Sequence, residues 1–170
     1  YFQATKVSFR HPLGQFVLAL TNWIVLPIRR IVPPFKGYDS TSIALAWLCA
    51  LTMHAMLLAI SPWPFNFMSG ESILALILIA TLELFKMSLY LLFAAVIGQA
   101  LMSWLSPYNP FLPIISGLTA PFLRPLQKVI HPIGGVDITP FILILIIQLL
   151  LNVFVAQMEP FILQQVVVTA

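Results

Sequence analysis

The chain has 170 residues, 61% of them hydrophobic and only 8% charged, with a mean hydropathy of +1.02. That is too little polar surface to cover a soluble domain of this length, so the chain is expected in a lipid bilayer. The net charge of +3 comes from only eight basic residues, and no concentrated basic patch of the kind nucleic acid requires is present.

In chain order, Tyr1 to Ala4 reads as the last turn of a spanning helix that would precede the sequence. Pro12 to Val32 is apolar but interrupted by Pro27, which removes a backbone hydrogen bond that lipid cannot replace. It is expected to form a hairpin that lies in the membrane interface or re-enters it, followed by a polar loop over 33–40. Thr41 to Ile60 is free of charge and about as long as a bilayer crossing requires. It stops at Ser61-Pro62-Trp63-Pro64, where prolines and an aromatic ring mark an interface. Residues 61–71 form a loop on the far side.

The next helix, Ser72 to Leu105, would be about 51 Å long at 1.5 Å per residue, more than an upright crossing needs. Counting back about 20 residues from Trp104 places Glu83 and Lys86 at the opposite interface, where three-residue spacing lets them pair. Pro110 to Ile130 contains Pro113, Pro121 and Pro125 and is expected to be a second interfacial hairpin. A loop over 131–137, a third span from Ile138 to Met158 and a tail over 159–170 complete the chain.

A gapless internal repeat runs through these segments. Pro12, Leu20, Thr21, Pro27, Pro34, Gly37, Asp39 and Thr41 recur 98 residues later as Pro110, Leu118, Thr119, Pro125, Pro132, Gly135, Asp137 and Thr139. Chemistry this varied is not matched by hydrophobicity alone and implies one unit used twice. The expected fold is therefore an all-α membrane protein of two parallel tandem repeats, residues 1–60 and 72–158. Each is a spanning helix, a proline-broken hairpin and a second spanning helix, with the first helix of repeat 1 missing from this chain. If the hairpins stay at the interface, Lys6, Arg10, Arg29, Arg30, Lys36, Arg124 and Lys128 share one face. The positive-inside bias then makes that face cytoplasmic.

The loops following the two hairpins hold the densest identities. Gly37 and Gly135 permit tight turns, while Asp39, Asp137 and Thr139 can accept the free N–H groups that open the next helix. Asp39 and Asp137 could alternatively form a paired acidic site for an ion or a partner's basic residue, with Arg30 and Lys128 the expected neutralising charges. Arg29, Arg30, Arg124 and Lys128 sit toward helix C-termini, where cations complement the helix dipole and reach lipid phosphates or a docked partner. Gln99, Gln148 and Asn152 are polar residues within the spans, suited to hydrogen bonds between helices or to a pore lining. Cys49, Met53, His54 and Met56 supply soft ligand types, but His54 points about 100° away from Met53 on a helix, and apolar packing is the simpler reading. Five acids and three histidines assemble no catalytic arrangement, so no enzyme activity, metal or cofactor is expected.

Over Ala120-Pro121-Phe122-Leu123-Arg124-Pro125-Leu126-Gln127-Lys128-Val129-Ile130-His131-Pro132-Ile133-Gly134-Gly135-Val136-Asp137-Ile138-Thr139-Pro140 the chain resembles the YggT (YlmG) family of small bacterial integral membrane proteins. Leu26 to Pro34, with Asp39, is similar to the first of that family's two repeats. The resemblance implies a multi-pass protein of the bacterial inner membrane with a spanning helix ahead of the first hairpin. It also implies loose links to membrane organisation, cell division, osmotic tolerance and, in chloroplast relatives, cytochrome assembly; no catalytic residue carries over.

The functional expectation is a non-enzymatic scaffold or assembly factor, its basic hairpins docking membrane lipids and another membrane protein, with self-association in view. A small ion channel or osmotic-stress transport component is the alternative, and a haem or copper handling subunit a third reading.

Overall fold

The computed structural model describes residues 5, 11–30, 39–61, 69–106, 108–130 and 137–168, and among these it is entirely helical. The helices are α1 (Pro12–Arg29), α2 (Ser40–Ile60), α3 (Gly70–Leu105), α4 (Leu112–Val129), α5 (Thr139–Leu149) and α6 (Ala156–Val168). A π-helical turn, Leu150–Val155, joins α5 to α6.

Local chemistry explains most helix starts. The Asp39 and Ser69 side chains each accept from the backbone N–H three residues on, capping α2 and α3, and Glu71 places a negative charge at the positive end of the α3 dipole. In α1, α4 and α5 proline occupies the first or second position, where its missing N–H costs nothing. Pro27 of α1 and Pro121 and Pro125 of α4 lie inside their helices. The stretches expected to double back as proline-broken hairpins are thus single helices of 18 residues each. The lost bonds do not stop them because three-residue bonding and neighbouring side chains can absorb a proline.

Three helical stretches are long and apolar enough to cross a membrane: Ser40–Ile60, Gly70–Ser103 and Thr139–Ile162. The last includes the π turn, so the third helical rod passes Pro160 and runs on to Val168 rather than giving way to a tail at Met158.

Helix α3 is the axis of the bundle, packing against α2, α4, α5, α6 and the π turn. Leu89, Leu92 and Val96 of α3 meet Leu123 of α4, Leu143 and Ile147 of α5, and Leu151 and Val155 beyond it. Farther along, Ala75 and Ile79 of α3 pack with Ile162 of α6. Helix α1 rests on α2, and His11 stacks edge-on against Phe111 just before α4, ring centroids 5.1 Å apart. Trp23, Ile60, Leu145 and Leu149 are among many large apolar side chains left exposed, the outward face expected of a bundle solvated by lipid.

Candidate functional site

The C-terminal ends of α1 and α4 each fasten to the start of the following helix. At the first, the Arg29 guanidinium donates to Asp39 Oδ2 over 2.5 Å, and the Ser42 hydroxyl donates to the same oxygen over 2.8 Å. The Ser42 backbone N–H donates to Asp39 Oδ1. Burial works to raise the Asp39 carboxyl, but the bonds from Ser42 and Arg29, with the guanidinium charge, outweigh it and hold the group below its ordinary value of 3.8.

At the second junction Gln127 Nε2 donates to Asp137 Oδ2 over 2.8 Å, while the Thr139 backbone N–H and hydroxyl both donate to Asp137 Oδ1, over 2.9 and 2.5 Å. Here too burial pushes upward, and bonds from Thr139 and Gln127 prevail and lower the carboxyl. Thr41 and Thr139, adjacent to these caps, are almost completely buried.

The neutralising charge expected on Asp39 was Arg30; the structure supplies Arg29 instead, and a glutamine, not Lys128, meets Asp137. A residue's direction turns by about 100° per position in a helix, so the neighbouring side chain reaches elsewhere. Each aspartate is engaged by its own helix ends. Gly37 and Gly135, with Lys6, Arg10 and Lys36, lie outside the described residues.

Arg30, Arg124 and Lys128 are exposed and, among the described residues, form no ion pair. Arg124 and Lys128 are one helical turn apart on α4, next to the exposed Phe122 and Val129. Cationic heads beside apolar side chains suit an interface where stems lie along hydrocarbon and charges reach phosphate.

The intramembrane amides divide. Gln99 of α3 accepts from the hydroxyl of the fully buried Thr119 of α4, a bond between helices. Gln148 and Asn152 bond each other along one helix: Asn152 Nδ2 donates to the Gln148 carbonyl and to its Oε1, both over 2.9 Å.

A further cluster was only half visible in the sequence. Lys86 Nζ lies 2.6 Å from Glu83 on α3 and 3.5 Å from Glu159 on α6, and His54 Nε2 of α2 is 4.0 Å from the same Glu83 oxygen. His54 Nδ1 is 2.9 Å from the Ala50 carbonyl, and Trp47, about two turns before His54 on α2, donates through its indole N–H to the Thr81 hydroxyl of α3. Spacing shows the Glu83–Lys86 pair, whereas Glu159 and His54 join it through packing. His54 is therefore turned toward a carboxylate, and Cys49 is exposed on α2.

An all-helical bundle with three apolar helices of spanning length, lipid-type outer surface and capped helix junctions defines a membrane protein. The profile of the CCB3/YggT family matches residues 1–60 and 73–158, and the chain belongs to that family. It is 30% identical over 159 residues to the uncharacterized protein YggT of Escherichia coli K12, covering 92% of this chain and 79% of that protein. An uncharacterized protein of Pseudomonas aeruginosa is 29% identical over 150 residues, covering 87% of this chain and 74% of its own length. A Vibrio alginolyticus relative, also described as uncharacterized, shows 29% identity over 150 residues, covering 87% of this chain and 78% of its own. No solved structure matches the chain.

Proposed function

We propose that this protein is a non-enzymatic scaffold or assembly factor of the bacterial inner membrane, crossing it several times and docking lipid headgroups and a partner protein through one basic cytoplasmic face. The observation that carries the reading is the division of labour among the cations at the ends of α1 and α4. Arg29 is spent on Asp39, while Arg30, Arg124 and Lys128 are exposed without an ion pair among the described residues.

The reading includes two parallel tandem units. Residues 98 apart support it through like contacts: Arg29 with Asp39 and Gln127 with Asp137; Thr21 donating to the Val17 carbonyl and Thr119 to that of Ile115. Val25 and Leu123 are both buried. Parallel units put both basic helix ends on one side of the membrane.

The test is co-purification from native membranes in mild detergent, comparing the natural protein with the Arg30→Gln, Arg124→Gln, Lys128→Gln triple variant. Loss of a partner from the variant supports docking. An unchanged set of partners removes it.

A second reading, a small ion-conducting component, is favoured by one observation: the ionisable groups His54, Glu83, Lys86 and Glu159 gather within or beside the spans, where such residues often mark ion routes. Ion flux through the purified protein in liposomes tests it, and silence across cations and anions counts against it.

A further inference from the structure

The Gln148–Asn152 pair lies on a surface that the bundle does not cover. Asn152 is exposed, and so are Leu145, Leu149, Val153 and Ala156 around it. It falls 13 positions after Thr139, where α5 begins, hence about 20 Å along the helical rod and well inside a hydrocarbon layer about 30 Å thick. The stretch is also π-helical from Leu150 to Val155, a local widening that often accompanies function. Helix α5 packs on α3 and α4 but not on α1 or α2, so its outward face meets lipid or another protein.

The amide chemistry here is half satisfied. Asn152 Nδ2 spends its donors on Gln148. Among the described residues nothing accepts from Gln148 Nε2 and nothing donates to Asn152 Oδ1. One helix face therefore presents an unused donor and an unused acceptor about one turn apart, in a medium that has no water to satisfy them. That combination is self-complementary: a twofold axis along the membrane normal sets this face of two copies inserted the same way against each other. Each copy's donor can then reach diagonally, one turn along, to the other's acceptor, making two equivalent bonds. A lipid tail satisfies neither, and an unrelated helix would have to match both. Ala156 at the same face permits close approach of the backbones.

We propose that this face, centred on Gln148 and Asn152, is a homodimer interface, with Gln148 Nε2 of each copy donating to Asn152 Oδ1 of the other. The inference is independent of partner docking at the basic face, which lies at the helix ends.

The test measures energy transfer between donor- and acceptor-labelled full-length protein in vesicles of phosphatidylethanolamine and phosphatidylglycerol. Natural protein should associate, and Gln148→Leu or Asn152→Leu should each weaken association by about tenfold. A second experiment uses Cys49→Ala protein, in which Leu149→Cys should form an oxidised dimer in membranes, whereas Phe122→Cys, exposed on α4, should not. No energy transfer by natural protein, unchanged association of Asn152→Leu, or equal cross-linking at positions 149 and 122 overturns the proposal.

Discussion

The Arg29 guanidinium lies 2.5 Å from the Asp39 carboxylate, tying the last turn of α1 to the cap of α2. The aspartate thus performs two tasks at once: it satisfies N–H and O–H donors of Ser42 at the start of a helix and it holds the preceding helix at a fixed angle. Ninety-eight residues later Gln127 and Asp137 make the same junction without a formal charge on the donor.

Arg29→Gln should accordingly keep much of the junction, because glutamine makes the equivalent bond at position 127. Arg29→Ala removes the donor and should cost about 1.5 kcal/mol, with Arg29→Gln costing less than half of that. Reversible unfolding in mixed micelles measures both, and equal losses would show that the charge dominates.

Acid should loosen the junctions. Asp39 is held below its ordinary value of 3.8 in the folded protein, so its contribution is fully present above that value and disappears as pH falls through the lower folded value. Asp137 acts with the same sign. Thermal unfolding in detergent should therefore weaken below about pH 4, and Asp39→Asn should be less stable at neutral pH with a shallower acid decline.

Lys86→Met should be among the most damaging single changes, since it strips the counter-charge from the buried Glu83 and from Glu159. The expected loss is about 3 kcal/mol, and the Glu83→Gln, Lys86→Met double variant should recover part of it because the buried charge at position 83 is gone and only the more exposed Glu159 is left without its lysine. A double variant weaker than Lys86→Met alone would contradict this account.

The hydrogen bond from Thr119 to Gln99 should contribute about 1 kcal/mol to α3–α4 association. Thr119→Val and Gln99→Leu should then be non-additive in a double-mutant cycle. Thr21→Val should be nearly silent, because Thr21 is exposed and bonds only the carbonyl of its own helix.

Much of the chain could be read one residue at a time. The apolar runs that became α2, α3 and the α5–α6 rod each reach the length of a bilayer crossing with few charges, and lipid demands internal backbone bonding, so length and composition together point to spanning helices. Asp39 declared a helix start through a side chain that satisfies the first N–H groups, whereas Ser69, which caps α3, lay within a stretch read as loop. The prolines of α1 and α4 misled, because proline weakens a helix locally while its neighbours decide whether the helix survives.

The 98-residue spacing also held an unread clue: it aligns Arg29 with Gln127, a match hidden because the two differ in charge while sharing a donor. Which cation meets Asp39, and that Glu159 and His54 converge on the Glu83–Lys86 pair, depended on helix rotation and on contacts between segments distant in sequence. Composition and capping act within a turn or two of chain, so the sequence by itself determined the membrane setting, the three spanning helices and the caps at Asp39 and Asp137. Direction around a helix changes by about 100° with every residue and becomes definite only when helices pack, so the tertiary structure alone decided which charged and polar groups meet.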